Sequence, residues 1–148
     1  MDSQKSKFSL DCPKFAWIIL IVLGCVDIAR GFIHTVLLPY AAENIMGLDL
    51  SVARDDQLVL MGTFGISNYI TGTLSIIIAL KARNIAPYVF LITPISYIFG
   101  SIMIRIAANP ASSKYGGVPM VIGYMVLSIG TFIAVIIWNV MKKRKIST

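Results

Sequence analysis

Four long apolar stretches separated by short polar connections set the pattern of this chain, at residues 15–38, 58–80, 87–108 and 118–141. Each reaches the roughly 20 residues a helix needs to cross a hydrocarbon core. The pattern predicts an all-α fold, an integral membrane four-helix bundle, with residues 1–148 forming one membrane domain. Little chain is left over for a soluble domain. The first stretch is the least uniform, because Asp27, Arg30 and His34 interrupt it.

On a helix turning about 100° per residue, Asp27, Arg30, Gly31 and His34 fall within a sector of roughly 100° and share one face. A central Asp or Arg costs about 2.5–3.5 kcal/mol on the translocon scale. Fourteen Phe, Ile, Leu and Val residues in the same stretch return about 0.3–0.6 kcal/mol each, so insertion is close to balanced. The polar face therefore needs partners inside the bundle rather than lipid. Asn68 is the mid-depth amide of the second stretch and the nearest candidate by depth, with Tyr97 and Tyr124 as further donors. The expected result is a buried polar network of Asp27, Arg30, His34, Asn68, Tyr97 and Tyr124. The same residues could instead mark a proton or ion path.

Small residues predict where the helices approach one another. Gly24 and Gly31 flank the charged pair, the second stretch carries Gly62, Gly65 and Gly72, and Gly100 and Gly130 lie in the third and fourth. A second row, Ser67, Thr71, Ser75 and Ala79, has i, i+4 spacing. Pro39 is expected to end the first helix, and residues 41–46 to form a short interfacial helix stopped at Gly47. Ser51 to Asp56 reads as the cap and acidic first turn of the second helix. The tight turn at Lys81 to Asn84 makes the second and third helices expected antiparallel neighbours. Pro94 is expected to kink the third.

Composition sharpens the class: 57% of the 148 residues are hydrophobic and 14% charged, and the mean hydropathy is +0.80. A net charge of +6 would suggest nucleic acid in a soluble protein, but its placement explains it otherwise. Lys5, Lys7, Lys14, Lys81, Arg83, Lys142, Lys143, Arg144 and Lys145 flank the stretches on one side, whereas the other carries Arg54 and Lys114, with Arg105 near the end of its helix, beside Glu43, Asp49, Asp55 and Asp56. The positive-inside rule then puts both termini in the cytoplasm. Membrane lipids become the expected partners, with Lys142, Lys143, Arg144 and Lys145 as lipid and topology anchor, and no nucleic acid.

Candidate chemistry is sparse. His34 is the only histidine, so Asp27 and His34 would need another subunit to complete a zinc or copper site, and no metal or cofactor is expected for the chain itself. Cys12 and Cys25, the only cysteines, offer no C-x-x-C pair. Val22-Leu23-Gly24-Cys25 resembles a lipoprotein cleavage site, but the apolar stretch continues past it to Leu38. No nucleophile with a base, no phosphate loop and no paired acid and base stand at useful spacing, so no catalytic site is expected.

Gly31-x-x-His34, Pro39, Gly47-Leu48, Arg54, Gly62 and Gly65 together resemble the small four-helix membrane families related to DoxX. That resemblance covers about the first half of the chain and implies an accessory or anchoring role beside an oxidoreductase. Asp27 with His34 departs from the pattern. In size and composition the chain is also similar to accessory subunits of archaeal ammonia monooxygenase complexes. The expectation is a multi-pass protein of the cell membrane, a non-catalytic subunit of a larger integral membrane complex with other membrane subunits as partners. The alternative is a small oligomeric transporter or ion-conducting protein using the Asp27, Arg30 and His34 face.

Overall fold

A computed structural model describes residues 10–107 and 116–146. Lys5, Lys7, Lys114 and most of the connection between the last two helices lie outside the described residues. Helix α1 spans Lys14–Thr35, a short α2 spans Leu38–Tyr40 and runs into a π-helical turn at Ala41–Ile45, and α3 spans Arg54–Lys81. Helices α4 and α5 span Ala86–Ala107 and Val118–Ile146. Among the described residues the fold is all helical, without a strand. Helices α1, α3, α4 and α5 are long and apolar enough to cross a membrane.

The helix ends follow local chemistry, with some departures from expectation. Helix α1 stops at Thr35 rather than at Pro39, which instead sits in the first turn of α2, where its missing N–H costs nothing. Gly47 takes a positive φ of 70° just past the π-helical turn, a left-handed stop that glycine makes without strain. Ala53 precedes α3 at φ 48° and supplies no side-chain cap, a conformation that costs a non-glycine residue about 1–2 kcal/mol. Gln57 offsets this by donating to the Asp49 and Val52 carbonyls at 2.9 and 2.7 Å. Helix α4 continues through Pro94, and α5 carries on through the basic tail to Ile146.

Helix α1 is the centre of the structure. Its buried positions, Ala16, Leu20, Leu23, Gly24, Asp27, Arg30, Gly31 and His34, recur every three or four residues and form one stripe. That stripe lies chiefly against α3, while α4 packs chiefly against α5 and α1 also touches both. The antiparallel pair α3 and α4, adjacent in sequence, touch only narrowly. Their short turn joins the helices without making them principal partners.

Glycines set the α1–α3 distance. A Cβ on Gly72 would lie 2.6 Å from the Gly24 carbonyl oxygen, and one on Gly24 would lie 2.7 Å from that of Gly72. Two turns along, a Cβ on Gly31 would lie 3.0 Å from the Gly65 carbonyl oxygen, and one on Gly65 would lie 2.8 Å from Thr35. Gly24 and Gly31 are seven residues apart, as are Gly65 and Gly72, so an antiparallel crossing brings both pairs into register. Gly62 meets only Leu38, at 3.6 Å. A Cβ on Gly100 or Gly130 would meet nothing within 4 Å, so neither lies against another helix of this chain.

Two apolar clusters cap the ends of the crossing. At the basic end Ala16, Leu20, Leu23, Ala79, Ala86, Phe90 and Val135 pack together. At the loop end Ala41, Ala42, Met46, Leu58 and Met61 do so. The basic end is further tied by Asn139, whose amide donates to the Asp11 carbonyl and accepts from the Asp11 N–H, both at 3.0 Å. Lys142 pairs with the Asp11 carboxylate at 2.6 Å, and Arg83 lies 4.4 Å above the Trp17 ring. The arm before α1 is thereby fastened to the end of α5. At the other end the Gly116 N–H donates to the Met46 carbonyl at 3.0 Å.

Candidate functional site

Between the two apolar clusters lies a layer of polar side chains. Asp27, Arg30 and His34 are 7%, 6% and 3% exposed, and Asn68, Ser128 and Thr131 are likewise buried. Their placement follows from the α1 stripe. Once glycines draw α3 onto α1, every third or fourth residue of α1 must enter the interface, charged or not.

Asp27 is the hub of this layer. Its Oδ2 accepts from the Tyr124 hydroxyl at 3.0 Å and from Thr71 Oγ1 at 3.4 Å, and its Oδ1 lies 3.6 Å from Arg30 NH1. Three helices therefore meet on one carboxylate. Tyr97 on α4 joins through its ring, 6.2 Å from that of Tyr124 and tilted by 59°. Each such interhelical hydrogen bond contributes on the order of 0.6 kcal/mol, and at most about 1.7.

Asn68 does not meet the Asp27 and Arg30 pair. Its amide nitrogen instead lies 3.4 Å from His34 Nδ1, two turns of α1 away from Asp27. Thr71, one turn along α3, takes the place expected of Asn68. The difference is one of register, because the glycine pairs set which α3 residue stands opposite Asp27. The i, i+4 row through Ser67, Thr71, Ser75 and Ala79 marked Thr71 as a small residue, and nothing local marked it as a donor to Asp27. Thr35 and Tyr69 add a further interhelical pair, hydroxyl to hydroxyl at 3.1 Å, and neither stood out in the sequence.

The layer is not fully paired. Arg30 Nε and Ser128 Oγ are buried without a hydrogen-bond partner among the described residues. Exposed small hydroxyls such as Ser67 and Thr63 donate to carbonyls of their own helix, so they bring no free donor to the layer. No group of three or more His, Cys, Asp or Glu stands close enough to hold a metal among the described residues.

A groove of about 1030 Å³ opens beside this layer at the loop end. Leu60, Thr63, Phe64 and Ser67 of α3 form one wall, the segment from Met46 to Val52 another, and Ile104 of α4 closes the far side, with His34 among its lining residues. It exists because α3 and α4 diverge. Neither Asp27 nor Arg30 lines it.

Cys12, before α1, is half-buried. Burial pushes its thiol above the usual range, against the smaller opposing effects of the Trp17 backbone and the Arg83 charge. A nucleophilic thiolate is therefore disfavoured there.

The resemblances to DoxX-related proteins and to ammonia monooxygenase subunits receive no support from comparison with protein families, curated proteins and solved structures, in all of which the chain finds no match.

Proposed function

We propose that this chain is a multi-pass protein of the cell membrane with both termini cytoplasmic, and that it serves as a non-catalytic accessory subunit of a larger integral membrane complex. One observation carries the reading: the helices are unequally used. In the most apolar window of α1, 39% of residues are buried, against 11% in α4. Gly100, Gly123 and Gly130 are open to their surroundings. Gly123 and Gly130 share a face of α5 turned about 130° from its buried residues Ser128, Thr131 and Val135. Glycine on such a face adds nothing to lipid solvation but lets another helix approach closely. Other integral membrane subunits are the partners that would use it, and membrane lipids cover the remainder.

Blue-native electrophoresis and mass spectrometry after mild solubilisation test this directly. The expected outcome is migration well above the 16.2 kDa chain with different membrane proteins in the same band. A chain that migrates alone, or only with itself, overturns the proposal.

The orientation rests on charge. Lys14, Lys81, Arg83 and Lys142 to Lys145 gather at one end, and Glu43, Asp49, Asp55 and Asp56 at the other, as the positive-inside rule requires of a cytoplasmic basic end. In a background with Cys12→Ala and Cys25→Ala, a membrane-impermeant maleimide should label Ser51→Cys in intact cells and Asn84→Cys only after permeabilisation. The reverse pattern would refute the orientation. The alternative role as a transporter or ion path is less supported, since the groove reaches His34 and stops short of Asp27 and Arg30.

A further inference from the structure

We propose that the groove between α3 and α4 is a binding site for an uncharged, membrane-soluble molecule with a hydrogen-bond-accepting carbonyl head, received by His34. The inference is independent of whether the chain sits in a larger assembly. It starts from the geometry of the only imidazole. His34 is 97% buried by difference from its 3% exposure, yet it lines the groove. Asn68 stands on Nδ1 at 3.4 Å, and with the amide nitrogen donating, Nδ1 is the acceptor and the ring proton lies on Nε2. No described residue hydrogen-bonds Nε2. His34 thus brings an N–H donor without a partner among the described residues to a largely apolar groove.

The character of the head group follows from what surrounds that donor. The Nε2–H of His34 is a donor without a partner among the described residues, so the group that meets it must accept. Asp27 and Arg30 cancel each other's charge, and Asp49 lines the groove with a carboxylate. An anionic head would meet that carboxylate and leave a buried net charge. A carbonyl oxygen accepts without either penalty.

The body of the molecule follows from the walls. Leu60, Met61, Phe64 and Ile104 are apolar, and the volume of about 1030 Å³ lies at the upper end of the range for small-molecule sites. Phe64 also lies against His34, with ring centroids 6.1 Å apart, so the imidazole stands beside an aromatic part of the wall.

The test uses the full chain in lipid nanodiscs, labelled with nitrogen-15 at histidine, so that its one imidazole yields one pair of ring-nitrogen signals. Three probes of equal chain length are titrated: a long-chain methyl ketone, the corresponding fatty acid and the alkane. The ketone is expected to shift Nε2 saturably and to move Nδ1 less. His34→Leu should weaken ketone binding, followed with a radiolabelled ketone, about threefold to eighteenfold, and His34→Gln should restore part of it through its amide donor. Equal responses to ketone and alkane would mean that lipid tails alone fill the groove, and a stronger response to the fatty acid would mean an anion site. Either result, or a shift confined to Nδ1, overturns the proposal. The wild-type titration stands by itself if a variant fails to fold.

Discussion

Asp27→Leu is expected to destabilise the protein by about 3–5 kcal/mol, the range seen when one member of a buried ion pair is removed. The substitution leaves Arg30 uncompensated in a layer where its Nε already lacks a partner. It also removes the acceptor for Tyr124 and Thr71, and so releases the contact joining α1, α3 and α5. The decisive comparison is with Asp27→Leu/Arg30→Leu, which deletes both charges. The double variant is expected to be more stable than Asp27→Leu alone, because an apolar pair of similar size avoids the cost of a buried lone cation. Unfolding by SDS titration in bicelles, followed by circular dichroism, measures both. A double variant as unstable as the single one would show that Arg30 is supported by something other than Asp27. Tyr124→Phe should cost no more than about 1.7 kcal/mol, since it removes one hydrogen bond and keeps the ring beside Tyr97.

Gly72→Ala is expected to cost about 1–3 kcal/mol, and it would separate α1 from α3 rather than weaken α3 itself. In an isolated helix the same change favours helix formation by nearly 1 kcal/mol. The sign reverses here because the new Cβ would stand 2.6 Å from the Gly24 carbonyl oxygen and 3.0 Å from the Ile28 nitrogen. Both are backbone atoms of α1, so no side-chain rotation relieves the contact, and α1 must move. Gly130→Ala is the internal control, since its Cβ meets nothing within 4 Å, and it should leave the stability of the isolated chain unchanged or raise it. The same bicelle unfolding series measures the pair. Equal effects at the two positions would mean that the glycines do not set the α1–α3 distance. Loss of partner subunits from Gly130→Ala, with its own stability intact, would in turn support the assembly proposed above.

Much of the fold was legible because membrane helices obey a one-dimensional rule. With no water to satisfy an open backbone, a long apolar stretch forms a helix whatever its neighbours do. The four expected stretches therefore match α1, α3, α4 and α5 closely in the interior. They differ at the ends, where α1 stops at Thr35 and α5 runs on to Ile146, because at those depths backbone groups have other partners. The Asp27, Arg30 and His34 face was legible for a similar reason, since helical periodicity alone puts those residues on one side.

Pairing between helices was not legible to the same degree. Asn68 and Thr71 lie at similar depths and both carry hydrogen-bonding groups, so composition cannot say which of them meets Asp27. Asn139 reads as an unremarkable polar residue near a helix end until the Asp11 backbone is placed beside it. Gly100 and Gly130 look no different in the sequence from Gly24 and Gly72, yet only the latter are in close contact.

The sequence by itself determined the all-helical class, the number of apolar spans, the end at which basic residues collect and the existence of a buried polar face. The tertiary structure decided that α1 is central and lies chiefly against α3, that α4 lies chiefly against α5 rather than α3, that Thr71 and Tyr124 share Asp27, and that a groove reaches His34. The physical reason is that helix formation and depth depend on one segment and its solvent, whereas partner and register depend on which two small surfaces approach most closely. In this chain that choice is made where Gly24 meets Gly72 and Gly31 meets Gly65.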